Sequence, residues 1–236
     1  MSVIKSALLA LSKALFPNRC EICGEVIELD KSLCDKCESI QKIKQPLCEY
    51  CGCSKDDCNC KKHKNEYKRI VAPYYYRDSI VTAIHRFKNS DMPFLAKKLG
   101  NDMSECVKEN YSDISFDMIT FVPLRDFHER KRGYNQAEIL ASKVSQNIGV
   151  PVFSLLSKVR YTGVQHHKSA RKRKADVFGA YDVCDEYKAE LGDKTILLID
   201  DVKTTGSTLN ECAKMLKIYG AKAVYCVSAA ITNNKK

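Results

Sequence analysis

The sequence predicts an α/β fold in which a doubly wound, mostly parallel sheet follows a small cysteine-rich domain. Three observations support this fold class. Strand-like and helix-like segments alternate beyond residue 69, nine of the 13 cysteines lie between residues 20 and 60, and residues 196–199 form an unbroken apolar run. Such a run is typical of a strand that is buried on both faces of a parallel sheet.

Each element of the main domain has its own signal. Ile80, Ile84 and Phe87 recur at helical spacing, and Gly149 and Gly220 are placed to end two helices. A polar, lysine-rich stretch separates residues 1–64, an N-terminal helix and cysteine-rich unit, from the main domain at 65–236. Strands are predicted at 69–77, 116–124, 193–200 and 221–231, and helices at 78–88, 92–109, 135–149 and 206–220.

Composition and charge restrict the class of protein. Apolar residues make up 44% of the chain and charged residues 29%, as in ordinary water-soluble proteins. No apolar run reaches the roughly 20 residues that a membrane span needs. The formal net charge of +10 favours anionic partners such as nucleic acid or nucleotides, with solubility alone as the alternative.

The first 17 residues predict an amphipathic helix rather than a signal peptide. Ile4, Leu8, Leu11 and Leu15 lie at helical spacing, and no small-residue cleavage pattern follows them. We therefore expect a cytoplasmic location, with peripheral contact at the inner face of the membrane as the alternative.

The cysteine spacing predicts one or two structural zinc ions. Two Cys-x-x-Cys pairs separated by a short spacer supply four thiolates, which suits tetrahedral Zn²⁺, and an all-cysteine site leaves no open position for catalysis. Cys53 is left over in the second group, and a ribbon that interleaves its pairs is the alternative. The predicted ligands are Cys20, Cys23, Cys34 and Cys37 for the first site and Cys48, Cys51, Cys58 and Cys60 for the second.

The segment ILLIDDVKTTGSTL at 196–209 predicts a site for a phosphorylated sugar. Ligands of doubly wound sheets bind outside the C-terminal strand ends, and here we expect Asp200 and Asp201 to leave the strand tip. The hydroxyl-rich turn that follows opens a helix, whose free amides favour a phosphate. The carboxylates can accept hydrogen bonds from sugar hydroxyls, and Mg²⁺ can offset the charge of a diphosphate.

This segment resembles the phosphoribosyl-pyrophosphate (PRPP) signature of type I phosphoribosyltransferases, and the whole chain resembles the ComF competence proteins. The resemblance covers nearly the full length and includes PNRCEICG, FVPL, ERKRGYNQAE and a stretch that begins at Gln165. It implies a type I phosphoribosyltransferase-like sheet behind a double zinc ribbon. Asp176 and Lys168 depart from the family pattern in the last stretch.

The resemblance also implies site residues. Asp200 and Asp201 would hold the ribose hydroxyls, and the loop after the strand at 116–124 would face the pyrophosphate. The nucleobase hood that such transferases need would be the segment from about residue 74 to 103, with Lys88 pointing inward. Asp200, Asp201 and Arg125 are the candidate catalytic residues. The predicted PRPP-binding residues are Asp200, Asp201, Lys203, Thr204, Thr205, Gly206, Ser207 and Thr208.

Two basic segments predict contact with single-stranded DNA, in keeping with a family linked to DNA uptake. A solvated loop is the alternative for the second segment. The candidate nucleic-acid-binding residues are Arg130, Arg132, Tyr134, Lys168, Arg171, Lys172, Arg173 and Lys174.

Two functions therefore stay open. In the first, the chain supports natural transformation, binds PRPP with Mg²⁺ and single-stranded DNA, and contacts other DNA-uptake proteins such as a helicase. In the alternative, it is an active PRPP-dependent phosphoribosyltransferase that acts on a nucleobase or another small acceptor.

Overall fold

The computed structural model describes residues 17–60, 65–89, 93–124, 133–159 and 179–233. Several predicted features lie outside these residues. They are the N-terminal amphipathic helix, and the basic residues Arg125, Arg130, Arg132, Lys168, Arg171, Lys172, Arg173 and Lys174. Within the described part of the chain, no helix has the length and apolar character needed to cross a membrane.

The main sheet is parallel throughout and consists of β1 (Ile70–Val71), β2 (Tyr74–Tyr75), β3 (Met118–Phe121), β6 (Thr195–Lys203) and β7 (Ala223–Ile231). Its strand order is β1–β7–β6–β3, and β2 continues alongside β7. A separate antiparallel pair, which we did not predict, is formed by β4 (Leu156–Ser157) and β5 (Asp182–Val183). The helices are α1 (Asp35–Glu38), α2 (Asp78–Asn89), α3 (Pro93–Asn110), α4 (Gln136–Ile148) and α5 (Ser207–Ile218).

Helices cover both faces of this sheet, as the unbroken apolar run of β6 predicts. Alternate residues of a strand point to opposite faces. Leu197 and Ile199 accordingly belong to the buried cluster that includes α3 and α4. Ile196 and Leu198 belong to the cluster that includes α5. The predicted doubly wound α/β fold is confirmed.

Two strand boundaries differ from the prediction. The segment predicted as one strand at 69–77 is interrupted between β1 and β2 at Pro73, which has no amide hydrogen to donate and whose carbonyl accepts from Ile43 N at 2.8 Å. In contrast, β6 continues past its predicted end at residue 200, because Val202 and Lys203 still pair with β7. Our expectation that Asp200 and Asp201 leave the strand tip is therefore wrong, since both lie within β6.

The cysteine-rich unit shares the hydrophobic core of the main domain. Ile22, Ile43 and Leu47 belong to the same buried cluster as Val71 and Ile231. Backbone hydrogen bonds, such as Ile70 N to Glu49 O at 3.1 Å, join the two parts as well. The exact boundary predicted at residue 64 stays a prediction.

A buried carboxylate also ties the two parts together. Asp102 of α3 is 3% exposed. It accepts hydrogen bonds from the Tyr74 hydroxyl and the Lys98 ammonium, both at 2.8 Å. Lys42, from the cysteine-rich unit, lies 3.6 Å from the same carboxylate. Buried charge is tolerated only when it is paired, and one of these three partners of Asp102 comes from the cysteine-rich unit.

We expect Asp102→Ala to lower the free energy of unfolding by about 2 kcal/mol, because a buried phenol and an ammonium lose their charged acceptor. Urea unfolding followed by circular dichroism measures this change. Asp113→Ala is the matched control, since Asp113 also accepts from a cation, Arg69, but its side chain is exposed. Equal midpoints for the two variants would contradict the assignment.

Candidate functional site

Two adjacent carboxylates of β6 form the centre of the candidate site. Asp200 pairs in register with Ser228 of β7, and its carboxylate accepts the backbone amide of Asp201 at 2.9 Å. The Asp201 carboxylate is bound by the Lys88 ammonium of α2 at 2.8 Å. Lys88 therefore points at the acid pair, in the direction expected of it.

The environment of the pair disfavours a second negative charge. Burial raises the pKa of Asp200 well above its ordinary value, and the neighbouring charge of Asp201 raises this pKa further. The Lys88 ammonium and the amide of Asp201 act in the opposite direction. Ligand hydroxyl groups that donate to these carboxylates would compensate their desolvation.

The turn at 204–208 exposes its hydroxyl groups. Thr204, Thr205 and Ser207 are exposed, and the Thr205 and Ser207 hydroxyls are 2.8 Å apart. Gly206 precedes α5 with a φ of 83°, a left-handed conformation that disfavours residues with a Cβ. Among the described residues, the amides of Thr204, Thr205 and Gly206 donate to no backbone carbonyl. Free amides at a helix start form a cradle for an anion.

The ammonium of Lys203 binds the cysteine-rich unit, where it donates to the carbonyl of Cys51 at 3.0 Å. Because this ammonium is bound to Cys51, it is not a ready contact for PRPP, and the predicted contact between Lys203 and PRPP stays a prediction.

Residues 133–136 connect three elements around the site. The Tyr134 hydroxyl donates to the Phe87 carbonyl of α2 at 2.8 Å, immediately before Lys88. The Asn135 side chain caps α4 by accepting from Ala137 N and donates to the Val122 carbonyl, just after β3. These contacts hold α2 next to the loop that is expected to face the pyrophosphate. Tyr134 is half-buried, and its contact with nucleic acid stays a prediction.

The cysteines form two groups of four. The thiols of Cys20, Cys23, Cys34 and Cys37 lie within 4.8 Å of one another, as do those of Cys48, Cys51, Cys58 and Cys60. We call these the first and the second cysteine cluster. The pairing agrees with the preferred assignment, with Cys53 left over, and the interleaved alternative is wrong.

Both clusters have the local geometry of zinc knuckles. In each Cys-x-x-Cys-Gly turn the glycine amide donates to the carbonyl of the first cysteine at 2.8 Å, and the glycine has a positive φ, 70° at Gly24 and 78° at Gly52. Four convergent thiols without a competing disulfide fit a tetrahedral Zn²⁺. The two clusters therefore support structural zinc.

The structure places some of the predicted site residues close together, and it shows a further residue at the site that the sequence did not predict. It brings together Asp200, Asp201, the turn at 204–208 and Lys88. Arg125 and the basic segments lie outside the described residues. Sequence reasoning missed Tyr67, whose hydroxyl would lie 3.3 Å from a Cβ added at Gly206, because no local pattern links residues so far apart in the chain.

We expect Asp200→Asn to raise the melting temperature of the unliganded protein at pH 7.5. The pKa of Asp200 is higher in the folded than in the unfolded chain, where it is about 3.9, so ionisation opposes folding above that pH. The gain should shrink as the pH falls toward 4. Differential scanning calorimetry measures it, with Asp113→Asn as the exposed control, and a lower melting temperature of Asp200→Asn would contradict the stated environment.

Comparison with known protein families supports both parts of the chain. The double zinc ribbon domain matches residues 11–65. The phosphoribosyl transferase domain matches residues 131–236, which include the acid pair and the turn at 204–208. Together with the parallel sheet and the two cysteine clusters, these matches confirm a type I phosphoribosyltransferase-like fold behind a zinc ribbon.

Curated relatives match most of the chain. Competence protein F of Haemophilus influenzae is 29% identical over 220 residues, which cover 89% of this chain and 95% of that protein. DNA utilization protein YhgH of Escherichia coli K12 is 28% identical, covering 87% and 86%. Competence protein ComFC of Bacillus subtilis is 25% identical, covering 84% and 83%. Over most of its length the chain is therefore similar to the competence proteins F and ComFC and to YhgH, and it matches a phosphoribosyl transferase domain that follows a double zinc ribbon domain.

Proposed function

We propose that this chain binds PRPP with Mg²⁺, binds single-stranded DNA, and thereby supports DNA uptake. The observation that carries the first part is the geometry at the end of β6. The carboxylates of Asp200 and Asp201 lie next to a turn in which Thr204, Thr205 and Ser207 are exposed. Among the described residues, the amides of 204–206 donate to no backbone carbonyl. This combination suits a ligand with a sugar at one end and a phosphate at the other.

Each group of the site has a task in this proposal. Asp200 and Asp201 accept hydrogen bonds from the ribose hydroxyls, and the turn at 204–208 donates to the 5-phosphate. Mg²⁺ carried by the diphosphate would reduce its charge. Lys88 forms an ion pair with Asp201 at 2.8 Å and holds that carboxylate in position before the ligand binds.

The DNA part of the proposal is supported by charge and by the relatives. Competence protein F and DNA utilization protein YhgH carry names that refer to competence and to the use of DNA. The formal net charge of +10 and the basic run at 168–174 suit a polyanion. Other DNA-uptake proteins, such as a helicase, stay predicted partners.

Asp201→Asn is expected to weaken PRPP binding at least about tenfold, because a hydroxyl loses a charged acceptor. Isothermal titration calorimetry with PRPP and Mg²⁺ on zinc-loaded protein measures this loss. Asp113 is an exposed carboxylate in the loop before β3, at the opposite, N-terminal end of the parallel strands, so the Asp113→Asn variant should bind as the unsubstituted protein does. If PRPP gives no heat with the unsubstituted protein, the proposed site is wrong.

Replacement of Lys172, Arg173 and Lys174 by glutamine should weaken binding of an oligothymidine strand. It should also reduce the slope of log affinity against log salt by about 2, since each phosphate contact on a single strand contributes about 0.7. Fluorescence anisotropy over a salt series measures both quantities. The control replaces three exposed lysines of the ribbon, Lys36, Lys44 and Lys55, and an equal effect of both triple variants would argue for net charge alone.

The same protein preparations test the alternative of an active transferase. Release of pyrophosphate from PRPP, with nucleobases or short single strands as acceptors, would favour catalysis if Asp200→Ala and Asp201→Ala abolish it. DNA binding that persists in these variants would favour PRPP as a regulatory ligand.

A further inference from the structure

The second cysteine cluster lies directly against the start of the phosphate-binding turn. Its glycine, Gly52, packs on the ends of two strands, because a Cβ there would be 3.3 Å from Ile231 Cδ1 and from Ile70 O. Ile231 is the register partner of Lys203, the last residue of β6 before the turn. The knuckle therefore packs on the C-terminal end of β7, beside the end of β6 from which the turn leaves.

Lys203 makes the polar link between them. It is only 8% exposed, and its ammonium donates to Cys51 O at 3.0 Å. Within the described part of the chain, no carboxylate forms an ion pair with it. Cys51, Cys53 and Cys60 line the same cavity of about 360 Å³ as Lys203, Thr204 and Thr205.

A buried ammonium without a carboxylate needs another source of negative charge. Four thiolates around Zn²⁺ supply it, since such a centre carries a net charge of two minus. Lys203 lies at the edge of this centre and is therefore placed to be its counter-charge. In return, the centre holds the Lys203 side chain in a buried position.

The same side chain supports the turn from below. A Cβ at Gly206 would lie 3.2 Å from Lys203 Cε and 3.3 Å from the Tyr67 hydroxyl. Tyr67 is 4% exposed, and its hydroxyl donates to the Tyr50 carbonyl, also in the ribbon, at 3.4 Å. Two buried side chains anchored on the ribbon thus form the floor under the glycine that opens α5.

We propose that the second cysteine cluster is the support of the phosphate-binding turn and that Lys203 is the positioning residue that couples them. Binding of zinc and binding of a phosphorylated ribose then favour each other. By thermodynamic linkage, each ligand raises the affinity for the other by the same factor. The identity of the sugar ligand rests on the proposed function, whereas the link between zinc, Lys203 and the turn does not.

The first test measures zinc release from the full chain to a chromophoric chelator. Cys58→Ser, which should retain one zinc, identifies the release phase that belongs to the second cluster. Lys203→Met is expected to accelerate that phase at least about tenfold, as loss of a partner around the ligands typically does, and to leave the other phase unchanged. Lys203→Arg, which keeps the charge, should restore slow release, and Lys217→Met, an exposed lysine of α5, is the matched control.

The second test adds PRPP and Mg²⁺. PRPP should slow the same release phase at least about fivefold in the unsubstituted protein, and less in Lys203→Met. Release at the unsubstituted rate in Lys203→Met would overturn the proposal. If calorimetry shows that the unsubstituted protein does not bind PRPP, the proposed function fails, while accelerated release still supports the counter-charge role of Lys203.

Hydrogen exchange keeps the proposal falsifiable if Lys203→Met does not fold. The unsubstituted protein is exchanged before and after the chelator has removed only the second zinc. We expect faster exchange at 204–209 after removal, with α4 as the internal reference. Unchanged exchange at 204–209 would overturn the proposed support.

Discussion

The placement of β6 between β3 and β7 is the constraint on which the rest of the structure depends. Both edges of β6 are hydrogen-bonded, and both faces are covered by helices. A strand held in this way can carry two adjacent carboxylates near its C-terminal end, although burial raises the pKa of Asp200. The same strand delivers the chain directly into the turn that opens α5, so acid pair and anion cradle have a fixed relative position.

The zinc ribbon contributes to this arrangement and is not a separate appendage. It shares the buried core with β1, β2 and β7, and it supplies Lys42 to the Asp102 cluster. The carbonyl of Cys51 accepts a hydrogen bond from the ammonium of Lys203, the last residue of β6. Metal binding usually contributes to folding free energy in ribbons of this kind. Because the ribbon contacts the end of β7 beside the turn, zinc binding would also stabilise the ordered conformation of the turn at 204–208.

The candidate site contains an electrostatically unfavourable pair of carboxylates, and a ligand that donates hydrogen bonds to them would lower its free energy. Asp200 and Asp201 are adjacent carboxylates with one ammonium, Lys88, close to them. Tyr134 donates a hydrogen bond to Phe87, the residue before Lys88, and Asn135 donates one to Val122, just after β3. These hydrogen bonds hold α2 and the loop after β3 together. Such unfavourable charge arrangements are common at functional sites, where folding stability is reduced in exchange for ligand binding.

The amino-acid sequence by itself determined the fold class, the two cysteine clusters and the acid pair with its hydroxyl turn. Each of these is encoded in one short segment: a two-sided apolar strand, a Cys-x-x-Cys-Gly knuckle, or a strand, turn and helix start that are continuous at 196–209. Local spacing and local backbone preferences are sufficient for such features. The end of β6 was misjudged because its last residues remain strand only through their pairing with β7.

Only the tertiary structure decided which distant residues meet. The Lys203 ammonium and the Cys51 carbonyl are 152 positions apart in the chain, and nothing in either local pattern points to the other. The contacts of Lys88 with Asp201, of Tyr67 with Gly206 and of Lys42 with Asp102 have the same character. They arise when preformed elements dock to bury apolar surface, and the docking energy depends on the whole core rather than on any one segment.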